Sequence, residues 1–287
     1  MVTTVRFGIM TPIVSRNPRH HPPPWEADGT IEDLAVIATR AEALGYDFMT
    51  FPEHVAIPED VAAVRGGTYW APLPTMGYLA ACTERIRLAT YVLVLGYHHP
   101  MELAKSYGTL DRVCGGRVVL GVGVGSLEQE FDLLGVPFAG RGERSDATLE
   151  ALRVTFSNPH PPGWVLDPCG LDRPLTIWVG GRTGRSLRRA VTLGDGWAPF
   201  GLPPARVSEL LAGVARPAGF DLVLHPEPPV APADDPAGTR EAVERYAATG
   251  ATHLVFRFRQ QSRAELLDQM EALVELFPES RVLPMRT

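Results

Sequence analysis

The chain has 287 residues, of which 45% are hydrophobic and 21% charged, with a formal net charge of −6. This is globular composition, and the length suits one α/β barrel of about 250 residues with insertions. The acidic balance argues against nucleic acid as a partner, and no apolar run nears the roughly 20 residues that span a bilayer. Cys82, Cys114 and Cys169 are odd in number and lack C-x-x-C spacing. Free thiols in a reducing cytosol are expected, not a disulfide frame or a zinc site. The first ten residues show no charged segment followed by an apolar one, so no leader is read and a cytoplasmic protein is expected.

Residues 5–10 form a short apolar run, read as the first strand. Residues 31–44 carry Ile31, Leu34, Ala35, Ala38 and Ala41 at helical spacing and end at Gly45, a C-terminal stop. The second strand is 47–51, a helix follows at 71–83, and the Val- and Leu-rich third strand is 86–95. Helix 101–113 leads through Gly115-Gly116 to the fourth strand, 117–122. Segment 127–156 reads as helix interrupted by a loop at 135–142, with Gly140-Arg141-Gly142-Glu143-Arg144 entering the helix at Ser145. Then come strand 175–179, helix 183–193, strand 197–200, helix 205–214, strand 221–224, helix 239–249, strand 253–258 and helix 263–277.

Eight strands alternating with helices predict a parallel (β/α)8 TIM barrel, with residues 1–287 forming a single domain. The strands are near-continuous apolar runs, as expected when both faces are covered. A doubly wound open sheet would show fewer strands and a domain break, and no linker is visible. Irregular Pro-rich stretches occupy 15–29, 52–69, 159–174 and 227–238. The first two follow strands one and two, which places them at the C-terminal face, where barrel active sites sit. Trp25, Tyr69 and Trp70 are candidate apolar walls of a pocket there.

Three strand ends carry residues suited to chemistry. In Val118 through Ser126 a buried strand runs into Gly121, Gly123 and Gly125, and bare backbone of this kind lets N–H groups approach an anion. The dinucleotide fingerprint Gly-x-Gly-x-x-Gly is not met, because Ser126 stands where its third glycine would be. Strand five ends in Gly180-Gly181-Arg182-Thr183, a second candidate anion cradle ahead of a helix. A leucine at Gly123 is therefore expected to abolish cofactor binding and to spare the fold. Glu53-His54 ends strand two, a carboxylate beside the side chain most easily tuned across neutral pH. His98-His99, with His20-His21 and His54, does not form a metal motif, since adjacent histidines point in different directions. No metal is expected.

Taken in order, these motifs resemble the luciferase-like monooxygenase superfamily, and within it the F420-dependent oxidoreductase branch. The resemblance covers Glu53-His54, Val92 through Pro100, Ala104 through Gly116, Gly121 through Gly125, Phe131 through Arg144, Ile177 through Gly181 and Leu193 through Trp197. It implies a barrel, a homodimer, and a deazaflavin or flavin at the C-terminal face acting on a small-molecule substrate. It implies that His54 lies by the redox ring, with Glu53 positioning it. It implies a bulge with a non-prolyl cis peptide at Tyr91–Val92 against the ring, near Val94. Gly123, Val124, Gly125 and Ser126, with Gly180, Gly181, Arg182 and Thr183, would take the cofactor's phosphate and tail. The sequence departs from the sugar-phosphate dehydrogenase branch, where an acid follows the strand-four glycines. Ser126 holds that place, so that reaction is not expected. Coenzyme F420 and hydride transfer are the first reading. FMN with O₂, as a monooxygenase, is the alternative, and a non-catalytic flavin-binding barrel is the third.

Overall fold

A computed structural model describes residues 5–158, 163–171 and 173–280 of the chain, and within them every paired strand runs parallel to its neighbours. The strands are β1 (Arg6–Met10), β2 (Phe48–Phe51), β3 (Arg87–Thr90), β4 (Leu93–Val94), β5 (Val118–Gly123), β6 (Thr176–Gly180), β7 (Gly196–Ala198), β8 (Asp221–Leu224) and β9 (His253–Phe256). Their order is β3-β2-β1-β9-β8-β7-β6-β5-β4, and β3 also pairs with β5, which closes the ring. β3 and β4 are the two halves of the third strand expected from sequence. The break falls at Tyr91–Val92, whose peptide bond is cis. The molecule is the expected eight-staved parallel barrel.

Helices follow the strands: α1 (Ile31–Leu44), α2 (Glu59–Arg65), α3 (Pro72–Cys82), α4 (Pro100–Val113), α5 (Glu128–Leu133), α6 (Arg141–Ser157), α7 (Gly184–Leu193), α8 (Pro204–Leu211), α9 (Pro236–Ala247) and α10 (Arg263–Leu276). α1 shows why the sequence signals work. Thr30 and Asp33 form a reciprocal capping box at its start, and Leu34, Ile37, Ala38 and Ala41 face the core. Gly45, at φ 87°, ends it in the left-handed conformation. Two boundaries differ from expectation. α6 begins at Arg141, not Ser145, because Gly140 serves as its N-cap and Ser145 hydrogen-bonds back to the Arg141 carbonyl from inside the helix. α2 forms within the Pro-rich stretch after β2, where Glu59 and Asp60 favour a helix start.

The barrel interior is filled by Phe48, Ala89, Val119, Trp178, Ala198, Val223 and Val255, one from each of seven strands. β1 contributes Gly8 at this level, where a Cβ would lie 2.3 Å from the Phe48 ring. The larger apolar core lies outside the strands, beneath the helices. The loops after β1 and β2 are joined by a bridge between Ser15 and Tyr69 and by the Trp70 N–H donating to the Val14 carbonyl (2.9 Å). These loops therefore make one wall over the C-terminal face. No helix among the described residues is long and apolar enough to cross a membrane.

Candidate active site at the barrel mouth

The two glycine-bearing rims are neighbours. Val122 of β5 is in register with Val179 of β6, which sets Gly123 beside Gly180, and Val94 of β4 pairs with Gly123 on its other side. Val92, placed by the cis peptide, is packed against both. A Cβ on Gly123 would lie 2.8 Å from Val92 Cγ2, and one on Gly180 would lie 3.0 Å from Val92 Cγ1. Gly123 and Gly180 are buried strand ends, so their missing side chains seat Val92. This corrects the expectation that a leucine at Gly123 would spare the fold, since it would collide with a neighbouring side chain and not with a ligand alone.

The reachable part of each rim lies one to three residues further on. Val124 and Gly125 are half-buried and Ser126 is exposed; Gly181 is half-buried, and Arg182 and Thr183 are exposed. Gly125 is left-handed at φ 77°, and a Cβ there would meet Phe131 and Val94 within 2.7 Å. Arg141 fixes this loop by donating to the Gly125 carbonyl (3.1 Å) while lying over the Phe138 ring. On the other rim the Thr183 hydroxyl accepts from the Ser186 N–H (3.4 Å) as the N-cap of α7. That bond satisfies one of the first-turn donors and leaves those of Gly184 and Arg185 facing outward from the helix start. Arg182 extends over the Phe200 ring, with 5.1 Å to its centroid.

Glu53 and His54 are adjacent in sequence but take different partners. His54 Nδ1 lies 2.8 Å from Glu130 Oε2. A carboxylate only accepts, so Nδ1 carries the proton and Nε2 is the ring atom left for other chemistry. Glu130 is buried, and it also accepts from the Tyr97 hydroxyl (2.7 Å) and from the N–H groups of Val55 and Ala56. Burial pushes the Glu130 carboxyl pKa up, but the hydrogen bonds from His54, Tyr97 and Val55 outweigh it and hold the group below its ordinary value. Burial and the bond to Glu130 push the Tyr97 phenol well up, so it remains a donor. The Tyr69 ring packs edge-on against His54, with centroids 4.5 Å apart.

Glu53 does not position His54. Its Oε2 accepts from the Val94 N–H (2.7 Å) and its Oε1 lies 2.7 Å from His98 Nε2. Burial lowers the His98 pKa, but the bond to Glu53 and the charges of Glu53 and Glu102 outweigh it and raise the net value. Glu53 thus clamps the chain just after the cis peptide and holds β4 in place. Both residues lie just past β2, in the loop, where the two side chains part to different partners. His99 has a third task, accepting from the Met101 N–H (3.2 Å) at the start of α4. Among the described residues no three His, Cys, Asp or Glu side chains are grouped to hold a metal ion.

Glu130 and Tyr97 were missed by sequence reasoning. Glu130 sits in the short helix α5, and its neighbour Phe131 opened one of the stretches that carried the resemblance. A glutamate fully buried at the start of a six-residue helix cannot be told from the exposed Glu128 by spacing alone. Tyr97 follows Gly96, where a Cβ would lie 2.7 Å from the Phe131 ring, so the Tyr97–Glu130 contact depends on an absent side chain. Of the other aromatics, Trp70 packs on the core beneath the loops, and Trp25 donates to Gln260 Oε1 (2.7 Å).

Comparison with known proteins agrees with this architecture. A family model described as luciferase-like monooxygenase matches residues 5–279. The chain is 32% identical over 201 residues to an uncharacterised protein of Mycobacterium tuberculosis, covering 63% of this chain and 69% of that one. It is 33% identical over 180 residues to an F420-dependent glucose-6-phosphate dehydrogenase of Beutenbergia cavernae, covering 58% and 51%. The solved monooxygenase RslO1 from Streptomyces bottropensis superposes with a TM-score of 0.75 at 20% identity, over 96% of this chain and 99% of that one. With a parallel barrel and a family match over nearly its whole length, the chain belongs to the luciferase-like monooxygenase family.

Proposed function

We propose that this protein is an F420-dependent oxidoreductase that moves a hydride between a deazaflavin and a small organic substrate. The observation that carries the reading is the His54–Glu130 pair at the mouth, with Nδ1 held at 2.8 Å and Nε2 left without a hydrogen-bond partner among the described residues. The residues present fit such a cofactor. Main chain at Val124–Ser126 and Gly181–Thr183 forms two adjacent rims, and the start of α7 adds N–H donors and the arginines Arg182 and Arg185 for a phosphate. The partial identity to an F420-dependent enzyme supports the choice of cofactor. When bound, a deazaflavin supplies or accepts the hydride.

The chain supplies the rest. His54 Nε2 gives or takes the proton at the reacting group, and Glu130 holds the ring's orientation through Nδ1. Glu53 and Val94 keep the strand beside the cis peptide in place. Ser126 is exposed at the rim and suits a contact with an anionic oxygen, not proton transfer. The reading also takes the chain as one domain and as a cytoplasmic homodimer, and sedimentation at micromolar concentration tests the dimer.

The second reading is an FMN-dependent monooxygenase, favoured by the fold match to a solved monooxygenase. Titration of the pure protein with F420 and with FMN, followed by fluorescence, separates the two. Saturable binding of F420 with weaker FMN binding is the expected result. An FMN preference would install the monooxygenase reading, and binding of neither would favour a barrel without redox function.

A further inference from the structure

A cavity of about 410 Å³ lies among three loops at the C-terminal face, those after β1, β8 and β9. Small-molecule sites run from roughly 300 to 1,000 Å³. Neither His54 nor any rim glycine lines it, so it is a separate feature of this face. Hydrogen bonds hold the three loops together. Trp25 Nε1 donates to Gln260 Oε1 (2.7 Å) and Gln260 Nε2 donates to Glu26 Oε1 (3.0 Å), which joins the loop after β1 to the loop after β9. The Val230 N–H donates to the Arg257 carbonyl (2.9 Å) and the Arg259 N–H to the Val230 carbonyl (2.8 Å), which joins the loop after β8 to the same segment. The cavity is therefore preformed, and a ligand need not order it.

Its lining is about half polar, and the two halves differ in kind. Pro22 and Pro23 on one loop, Pro228 and Pro229 on another, and Phe258 supply rigid apolar faces. Proline has no N–H, so a ring packed on these faces strands no backbone donor there. The charged lining groups are Glu26, Arg257 and Arg259, and they are not equivalent. Glu26 is buried and accepts from Gln260 and from the Ile13 N–H (3.3 Å). Arg257 is engaged: Nη2 donates to His225 Nε2 (3.1 Å) and to Met10 Sδ (3.3 Å) and lies 3.6 Å from Glu227, while Nη1 is sealed from any ligand by burial. Arg259 is exposed, and its guanidinium has no hydrogen bond or ion pair with any described residue. The lining thus holds two guanidinium groups and one carboxyl, a positive spot on a chain of net charge −6. Such a spot draws an anion, and Glu26 opposes a second negative charge on it.

We propose that this cavity binds a small monocarboxylate with an apolar body, the carboxylate on the free Arg259 guanidinium and the body against the prolines. A guanidinium fork matches a carboxylate through two parallel hydrogen bonds, and Arg259 is the lining cation with its fork unoccupied. The proposal goes beyond the redox reading and does not depend on it.

Three probes test it by isothermal calorimetry: 2-naphthoate, its uncharged counterpart 2-acetylnaphthalene, and acetate, which has the charge without the body. The 2-naphthoate is expected to bind about tenfold or more tightly than either of the others. Arg259→Gln is expected to remove its advantage over the ketone. Ketone binding, melting temperature and F420 affinity should stay unchanged in that variant, because the Arg259 side chain holds nothing in the fold. Equal binding of 2-naphthoate and ketone, acetate binding as tightly as 2-naphthoate, or binding of none of the three would overturn the proposal. An advantage that survives Arg259→Gln would put the anion elsewhere on the molecule and would overturn it too. Titration of the same samples with F420 keeps the two readings apart. Selectivity for 2-naphthoate without F420 binding removes only the redox reading, and F420 binding without that selectivity removes only this site.

Discussion

At the N-terminal end of the barrel Asp47, Arg87, Asp221 and His253 satisfy one another, while at the C-terminal end several polar atoms are left over. Arg87, the first residue of β3, pairs with Asp47 and donates to His253 Nε2 (3.0 Å). Its guanidinium also lies 5.5 Å from the Trp178 ring centroid, and Trp178 Nε1 donates to Asp221 Oδ2 (2.8 Å). The opposite end carries the Thr11 hydroxyl, the Tyr91 hydroxyl and Arg257 Nη1 without partners. Both ends are polar and partly buried. At the first end the Asp47, Arg87, Asp221 and His253 side chains pair with one another and Asp111 Oδ2 is left over, while at the second end three polar atoms lack a partner. In a parallel barrel, stability is concentrated at the first end and binding at the second.

Substitutions at the two ends should act differently. The largest effect is expected at the mouth. His54→Ala should lower turnover by on the order of 10²–10⁴-fold, the range of general acid–base catalysis, with cofactor affinity and melting temperature little changed. An unchanged kcat would make His54 a packing residue.

At the closed end, Asp47→Asn leaves Arg87 without its carboxylate partner and should cost about 3–5 kcal/mol in urea unfolding, with F420 affinity of the folded protein retained. Asp47 also sets a pH dependence. Burial raises its pKa, but the bonds from His253 and Arg87 outweigh it and bring it down to about 2, from the ordinary 3.8. A folded-state value below the unfolded one means stability that is present above pH 3.8 and lost as the pH falls from there towards 2. The loss should be about 2 kcal/mol in wild type and absent in Asp47→Asn, measured by unfolding across that window.

The smallest effect sharpens the boundary between the ends. Gly123→Ala should cost about 1–3 kcal/mol because the new methyl meets Val92. Stability equal to wild type would show that Val92 is not seated there.

Much of this was legible in the sequence, and unequally so. The barrel followed from alternation, because each apolar run is set by burial that its own residues report. β8, for example, spans the expected 221–224, and α1 the expected 31–44. The position of the third-strand break at Tyr91–Val92 came with the resemblance and is present as a cis peptide. The pairing at the mouth was not legible. Glu53 and His54 look like a unit in sequence, yet they reach His98 and Glu130, 45 and 76 residues away. Such pairings depend on which strand ends meet across the rim, and local spacing carries no information about that. The glycines were legible as close approaches, but not as seats for Val92.

On the proposed reading the mouth, with His54 held by Glu130, receives a redox cofactor on the two rims. A crystal structure of the protein with F420 tests it most directly. The deazaflavin ring is expected beside His54 Nε2 and the phosphate on Val124–Ser126 and Gly181–Thr183. A cofactor bound anywhere else on the barrel, or a ring out of reach of His54, would contradict it.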